Sequence, residues 1–134
     1  MKKWKVSGIV MVCGVLLFST VCSAASWKSY STTVGRLNGS GYTGSQTVSN
    51  SASHSAWLDS FTVGGDYVVD ARVQGYSGGA YKAGGPWERD ITDDKMYFLY
   101  SNSEVNFTQG RVNFSNDVTT PVNVQVTGEF TLNE

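Results

Sequence analysis

The sequence predicts an all-β fold, a small antiparallel β-sandwich or barrel of about seven to nine strands. Two segments alternate apolar and polar residues with a period of two, which is typical of half-buried strands. Clusters of Gly, Asn, Asp and Pro recur at the intervals expected of a sandwich. No window after residue 25 has the spacing of an amphipathic helix, so helix has little support.

The N-terminus has the order of regions found in a secretory signal. The apolar run VSGIVMVCGVLLFSTVC follows a lysine-rich start and precedes the small-residue segment SAAS. We expect a signal peptide at residues 1–25, cleaved after Ala24 or Ala25, and a single β-sandwich domain at residues 26–134. The short lysine-led signal looks bacterial, and the expected localisation is secreted, in the extracellular space.

Two other fates of the signal segment stay open. The segment could be retained as an uncleaved anchor helix, although its apolar run is short for a membrane span. Alternatively, Cys22 could be acylated as in a lipoprotein, although Val21 is bulky for a lipid-attachment signal. Cleavage after Ala25 removes both cysteines of the chain, Cys13 and Cys22. The mature domain would then have no disulfide, thiol catalysis or cysteine metal site.

Loss of the signal also changes the charge balance. Its three lysines leave with no acidic residue, so residues 26–134 carry seven basic and eleven acidic side chains, a net charge of −4. On electrostatic grounds, nucleic acid and anionic membrane surfaces are poor partners for such a domain.

Two segments carry the clearest strand pattern. In YVVDARVQGY, residues 67–76, apolar side chains alternate with Asp70, Arg72 and Gln74. In PVNVQVTGEF, residues 121–130, three valines alternate with Asn, Gln and Thr. Shorter candidate strands are WKSYSTTV, GYTGSQTV, AWLDSFTV, KMYFLYS and GRVNFSN.

Three connections between these strands are predicted to be turns. VGGDY at residues 63–67 predicts a hairpin, because Gly64 and Gly65 can take the positive φ angles of tight turns. ITDDK and NDVTTP predict two more turns, at residues 91–95 and 116–121.

Two segments allow more than one interpretation. MYFLY, residues 96–100, is apolar on both faces, which favours a central strand covered on both sides. The alternative is an exposed aromatic face, with Tyr97 and Leu99, that meets a partner or lipid. Residues 26–63 are rich in Ser and Thr, which favours a solvated sheet face or a partly ordered arm. The alternative there is an amphipathic hairpin that enters a bilayer.

Residues that could carry catalysis or bind metal are few. His54 is the only histidine and lies among serines, with no motif that supplies an orienting acid. We therefore expect no enzyme and no cofactor, since a hydrolase would need carboxylates that converge on His54. Asp90, Asp93 and Asp94 are weak candidates for a calcium site, because the same pattern is typical of an exposed turn. No metal site is predicted with any firmer support.

The segment GYSGGAYKAGGPWERD, Gly75 to Asp90, is the best candidate for a ligand-binding loop. It combines five glycines with Tyr76, Tyr81 and Trp87, whose flat rings could stack on sugars or bury at a protein interface. Long connections in small domains are often functional. The alternative for Trp87 is that it folds back to cap the core.

Together these features predict a secreted, non-enzymatic binding module that acts at the cell surface or in the extracellular space. Its expected partner is a cell-wall carbohydrate or an extracellular protein. The alternative is a small secreted antibacterial or membrane-active, bacteriocin-like β-protein that uses the Ser/Thr-rich half, and only this alternative involves a membrane.

Overall fold

A computed structural model describes residues 26–48, 55–102 and 107–132. Within these ranges the chain forms ten strands: β1 (Lys28–Val34), β2 (Ser40–Tyr42), β3 (Gln46–Thr47), β4 (Ala56–Val63), β5 (Val69–Ser77), β6 (Ala80–Ala83), β7 (Glu88–Ile91), β8 (Lys95–Leu99), β9 (Gln109–Asn116) and β10 (Val124–Thr131). The expected signal peptide and His54 lie outside the described residues. In the described part of the chain, no helix has the length and apolar character needed to cross a membrane.

The strands form two antiparallel sheets. The four-stranded sheet has the order β1-β10-β4-β8. The six-stranded sheet has the order β2-β9-β5-β6, with β3 also paired to β9 and β7 also paired to β5. The prediction of an all-β antiparallel fold is confirmed, and the described residues form more strands than the seven to nine expected.

Apolar side chains from both sheets meet in one core. Val69, Ala71 and Val73 of β5 are fully buried, as their alternation predicts. Tyr30 of the four-stranded sheet packs on Phe114 of the six-stranded sheet, with ring centroids 5.3 Å apart. This contact ties the inner faces of the two sheets together.

The predicted hairpin at residues 63–67 is wrong. β4 belongs to the four-stranded sheet and β5 to the six-stranded sheet, so the chain turns a corner between sheets here. Gly65 has the expected positive φ of 60°, and the Gly64 N–H donates to the Gln125 carbonyl at 2.9 Å. A glycine pair signals a change of direction, but it carries no information about which sheet receives the next strand.

The interpretation of Gly75 to Asp90 as a long loop is also wrong. β5 continues to Ser77, and a two-residue turn leads directly into β6. Gly78 and Gly79 in that turn have φ of 63° and 88°, the positive pair that a type I′ hairpin turn requires. Gly75 lies within β5 for a different reason: a Cβ there would lie 2.0 Å from the Phe107 ring.

The MYFLY segment contains β8, which is an edge strand rather than the central strand that its composition favoured. Tyr97 and Leu99 point into the core, whereas Met96 is exposed and Phe98 is half-buried. The alternative of an exposed face with Tyr97 and Leu99 is wrong for these two residues, because both are buried. The outward-facing ring of Phe98 packs against the rings of Trp57 and Tyr100 at the edge of the sheet, which accounts for the apolar residues on this face.

The described strands of the Ser/Thr-rich segment do not pair with one another as a hairpin. β1 and β4 lie on either side of β10, and β2 and β3 belong to the other sheet. The short hydroxyl side chains of β1 at Ser29, Ser31 and Thr33 are exposed on a solvated sheet face.

Candidate binding face

The outer surface of the six-stranded sheet carries most of the candidate chemistry. Alternation places Val73 and Val112 in the core, so their neighbours Arg72, Gln74 and Arg111 point outward. We call this surface the arginine–tyrosine face, which consists of Tyr42, Arg72, Gln74, Tyr76, Tyr81, Trp87, Arg111 and Asn113.

Two buried amides link the two arginines of this face. The Arg111 Nε–H donates to the Gln74 Oε1 at 2.9 Å, and the Gln74 amide donates to the Asn113 Oδ1 at 3.3 Å. The same Asn113 oxygen accepts from the Arg72 Nε–H at 3.1 Å. Asn113 is itself held by donating to the carbonyls of Gly41 and Phe114. Because buried polar networks are rigid when satisfied, both guanidinium groups are fixed in orientation.

Aromatic rings cover the guanidinium groups. The Arg111 Cζ lies 3.9 Å from the centre of the Tyr42 ring and 3.8 Å from that of Tyr81. These rings come from β2 and β6, on opposite sides of the central strands β9 and β5. The Arg72 Cζ lies 4.3 Å from the centre of the Trp87 ring. These are favourable cation–π distances.

The six-stranded sheet is curled. The hydroxyl of Tyr81, on β6, is hydrogen-bonded to the hydroxyl of Ser45, which lies between β2 and β3. Gln109 of β9 also donates to the Tyr81 hydroxyl, at 3.3 Å. The Tyr81 side chain therefore extends across the face from β6 to the segment between β2 and β3.

The charges on this face are not neutralised by the protein. Within the described ranges, neither Arg72 nor Arg111 forms an ion pair. The ion pair that the described residues do contain joins Arg89 to Asp70 at 2.5 Å, at the β7 side of the sheet. The Asp70 side chain is only 6% exposed, and it also accepts a hydrogen bond from the Asp90 N–H. Two guanidinium groups thus remain without a counter-charge.

The structure brings the three candidate ligand-binding residues to this one face. The rings of Tyr76 and Tyr81 pack edge to face, with centroids 5.2 Å apart. Trp87 is half-buried against Arg72 and is not part of the core, so the alternative that it caps the core is wrong. The sequence interpretation missed Tyr42, Arg72 and Arg111 as members of the same surface.

Of the weak calcium candidates, Asp93 and Asp94 lie in the turn between β7 and β8, whereas Asp90 lies within β7. Asp90 and Asp94 have positive φ of 60° and 52°, a left-handed conformation in which Asp is enriched. The Asp93 carboxylate accepts the Val63 N–H at 2.5 Å and so holds the turn against β4. Among the described residues, no group of three or more Asp, Glu, His or Cys side chains is arranged to hold a metal ion. Asp93 and Asp94 therefore have a structural role in the turn between β7 and β8.

A buried tyrosine with a shifted pKa lies in the core, away from this face. Burial raises the pKa of the Tyr30 hydroxyl well above its usual range, and the nearby Ser60 hydroxyl offsets only part of that effect. Within the described residues, neither hydroxyl completes a hydrogen bond of normal geometry. Tyr30 therefore stays protonated and contributes packing rather than chemistry.

A second exposed surface lies at the β8 edge of the four-stranded sheet. We call it the aromatic edge, which consists of Trp57, Met96, Phe98 and Tyr100. The Phe98 ring packs against Trp57 and Tyr100, with centroid distances of 4.9 and 4.8 Å. Tyr100 is 63% exposed and Met96 is 49% exposed. This surface is apolar, and its rings contact each other rather than cations.

Comparison with known proteins leaves the identity of the chain open. No protein-family model and no curated protein sequence matches it. Among solved structures, the crystal structure of PirA is similar, with 15% identity over 77% of this chain and 91% of that chain and a TM-score of 0.47. Similarity at this level carries no argument about function, which has to come from the chemistry of the surfaces.

Proposed function

We propose that the protein is a secreted, non-enzymatic binding module whose arginine–tyrosine face binds an extracellular carbohydrate. The observation that carries this proposal is the network on that face: two arginines, fixed by the buried amides of Gln74 and Asn113, lie among four aromatic rings. A binding site of this kind combines flat apolar surfaces with a few oriented polar groups.

Carbohydrate fits this combination better than a protein does. A sugar ring has an apolar face that packs on an aromatic ring and hydroxyl groups that accept from guanidinium N–H groups. Tyr42 and Tyr76 are 44% and 43% exposed, which leaves ring surface for such packing. Stable protein interfaces usually draw on about 20–30 residues a side, more than the eight residues of this face.

A pull-down of the purified protein with insoluble cell-wall polysaccharide tests the proposal. We expect retention that is lost in the double variant Tyr81→Ala with Trp87→Ala. The matched control is Tyr100→Ala, which removes an exposed ring from the opposite sheet and should leave retention unchanged. Equal retention of the double variant, shown to be folded by circular dichroism, would remove this face from consideration.

Secretion can be tested separately from binding. Expression with the complete N-terminus should release a protein whose first residue is Ala25 or Ser26, as measured by mass spectrometry. Retention of residues 1–25 on a membrane-bound product would instead support the anchor, and a lipid-modified Cys22 would support the lipoprotein.

The aromatic edge favours a second candidate function, that of a membrane-active protein. Trp and Tyr side chains are enriched at the interface between water and lipid, and this edge places half-buried Trp57 and Phe98 beside exposed Tyr100. Dye release from neutral lipid vesicles that is lost in Trp57→Ala would support this function. Intact vesicles at high protein concentration would argue against it.

A further inference from the structure

We infer that the arginine–tyrosine face recognises an oxyanion on its ligand, which makes the ligand an acidic polysaccharide rather than a neutral one. This inference rests on the proposed function and adds the chemical class of the ligand. Arg72 and Arg111 are the residues assigned to hold the anionic group.

The positions of the two arginines suit a shared ligand. In the β5–β9 pairing, Arg72 lies opposite Asn113 and Gln74 lies opposite Arg111, so the two arginines are diagonal neighbours on adjacent central strands. Diagonal neighbours have side chains roughly 7–8 Å apart at their origins, a distance that long side chains can close. Both guanidinium groups therefore serve one stretch of surface.

Within the described residues, the hydrogen bonds of Arg72 and Arg111 leave their terminal Nη groups available for an anion. Each arginine uses its Nε–H inside the network, toward Gln74 or Asn113. The terminal Nη groups are the two-pronged part of a guanidinium, and they match the paired oxygens of a carboxylate or phosphate. With Nε fixed and the ring faces stacked, little further ordering is needed when an anion binds.

Electrostatics gives a second, independent reason. Arg72 and Arg111 are both only half-exposed, carry the same charge and have no ion-pair partner in the described residues. Partly desolvated like charges repel each other, and an anion between them relieves that repulsion. The net charge of −4 on residues 26–134 does not oppose this, because charges beyond a Debye length of about 8–10 Å are screened at physiological salt.

The shared chemistry could come from two kinds of polymer, one with carboxylate sugars and one with phosphodiester links. Affinity electrophoresis of the full chain separates them, with gels that contain polygalacturonate, its fully methyl-esterified form or a purified wall teichoic acid. The methyl ester keeps the same sugar backbone and removes only the charge. We expect at least one charged polymer to retard the protein much more than the ester does.

Variants of the arginines test the assignment directly. Arg72→Gln and Arg111→Gln should each weaken binding of the charged polymer by about ten-fold, and Arg111→Lys should restore only part because a lysine lacks the two-pronged donor. The matched control is Arg36→Gln, an exposed arginine between β1 and β2 that loses the same charge away from this face. Raising NaCl from about 0.05 to about 0.5 M should weaken wild-type binding.

The outcomes separate the two levels of the proposal. Equal retardation by polygalacturonate and by its ester, unchanged in the arginine variants, would overturn the oxyanion inference and leave the carbohydrate proposal intact. Loss of affinity in Arg36→Gln as large as in Arg72→Gln would also overturn the assignment. Retention by none of these polymers, nor by whole cell-wall material, would reject the proposed function itself.

Discussion

The outer faces of the two sheets are built from different chemistry on the same kind of scaffold. The four-stranded sheet presents short hydroxyl side chains that bond to each other, such as Thr62 and Thr127 with Oγ1 atoms 2.6 Å apart. Gln125 similarly accepts from Thr33 and donates to Ser31. The six-stranded sheet presents Arg72 and Arg111, two long charged side chains that have no ion-pair partner within the described residues.

On the first surface the polar side chains hydrogen-bond to one another, whereas on the second some polar groups have no partner within the described residues. We call the outer surface of the four-stranded sheet, with Ser31, Thr33, Thr62 and Thr127, the hydroxyl face. Its donors and acceptors pair locally, and the aromatic rings at its β8 edge pack on one another. On the arginine–tyrosine face, hydrogen bonds hold the Nε atoms of Arg72 and Arg111. Within the described residues, the terminal Nη groups remain available to a ligand. A sheet surface is therefore a candidate for binding when its polar groups are oriented but incompletely paired, rather than merely exposed.

The largest effect on the free energy of unfolding is expected from a substitution in the core between the two sheets. Phe114→Ala should lower the free energy of unfolding by about 3–5 kcal/mol, because it leaves a cavity where Tyr30 and Phe114 meet. Urea denaturation followed by tryptophan fluorescence measures this. Phe98→Ala, at the half-buried aromatic edge, is the control and should cost much less. Similar losses in the two variants would show that the core is not centred on this contact.

Breaking the amide network should affect the arginine–tyrosine face alone. Asn113→Ala removes the acceptor shared by Arg72 and Gln74 and leaves the buried Gly41 carbonyl with one donor fewer. We expect a loss of stability of about 1–3 kcal/mol, together with weaker polysaccharide binding. Asn123→Ala, an exposed asparagine that accepts the Arg36 N–H, is the matched control for binding. Unchanged affinity in Asn113→Ala would mean that the network does not orient the arginines for binding.

A smaller effect is expected from the buried hydroxyl of Tyr30. Its hydroxyl has no hydrogen-bond partner in the described residues, so Tyr30→Phe should raise the free energy of unfolding at pH 7 by about 1 kcal/mol. A loss of stability in Tyr30→Phe would contradict this prediction and would mean that the Tyr30 hydroxyl is hydrogen-bonded in solution.

The same residue predicts a pH dependence. Burial raises the pKa of Tyr30 above its ordinary value of 10.0, so the native state keeps a proton that the unfolded chain has lost. The contribution to stability is complete below pH 10 and falls as the pH rises above it, by up to ~1.4 kcal/mol per pH unit. Thermal denaturation between pH 9 and pH 11 should therefore show a shallower decline in Tyr30→Phe than in the wild type. Parallel curves would contradict the raised pKa.

The smallest effect is expected on the hydroxyl face. Thr62→Ala removes one exposed cross-strand bond to Thr127 and should cost about 0.2–1 kcal/mol, with no change in polysaccharide binding. Urea denaturation and affinity electrophoresis measure the two quantities on the same sample. A loss of binding comparable to that of Arg111→Gln would show that the two faces are not functionally distinct.

Much of the fold could be predicted from the sequence because its strands alternate strictly. β4 matches the segment AWLDSFTV along its whole length, and the inward residues of β5 follow from its period-two pattern. The pairing of strands could not be predicted in the same way, since the corner at Gly65 and a hairpin have the same local signature. The glycines of residues 75–90 were ambiguous because a turn, a close contact and a flexible loop all favour glycine.

The candidate site was predictable only in part for a related reason. Tyr76, Tyr81 and Trp87 lie close together in the sequence, so they could be predicted as one group of ligand-binding candidates. Arg72 and Arg111 lie on different strands and are neighbours only because of the β5–β9 register. No local sequence pattern predicts that register. The outward position of Arg72 in an alternating strand was the one available signal, and it was shared with many solvated arginines.

The pairing of β1 with β10 has a consequence for the order of folding. The first described strand spends its whole length beside the last, from Lys28 against Phe130 to Val34 against Val124. The four-stranded sheet therefore cannot close until β10 has been synthesised, and contacts between such distant segments form slowly. Until β10 is present, Leu58 of β4 lacks its cross-strand neighbour Phe130.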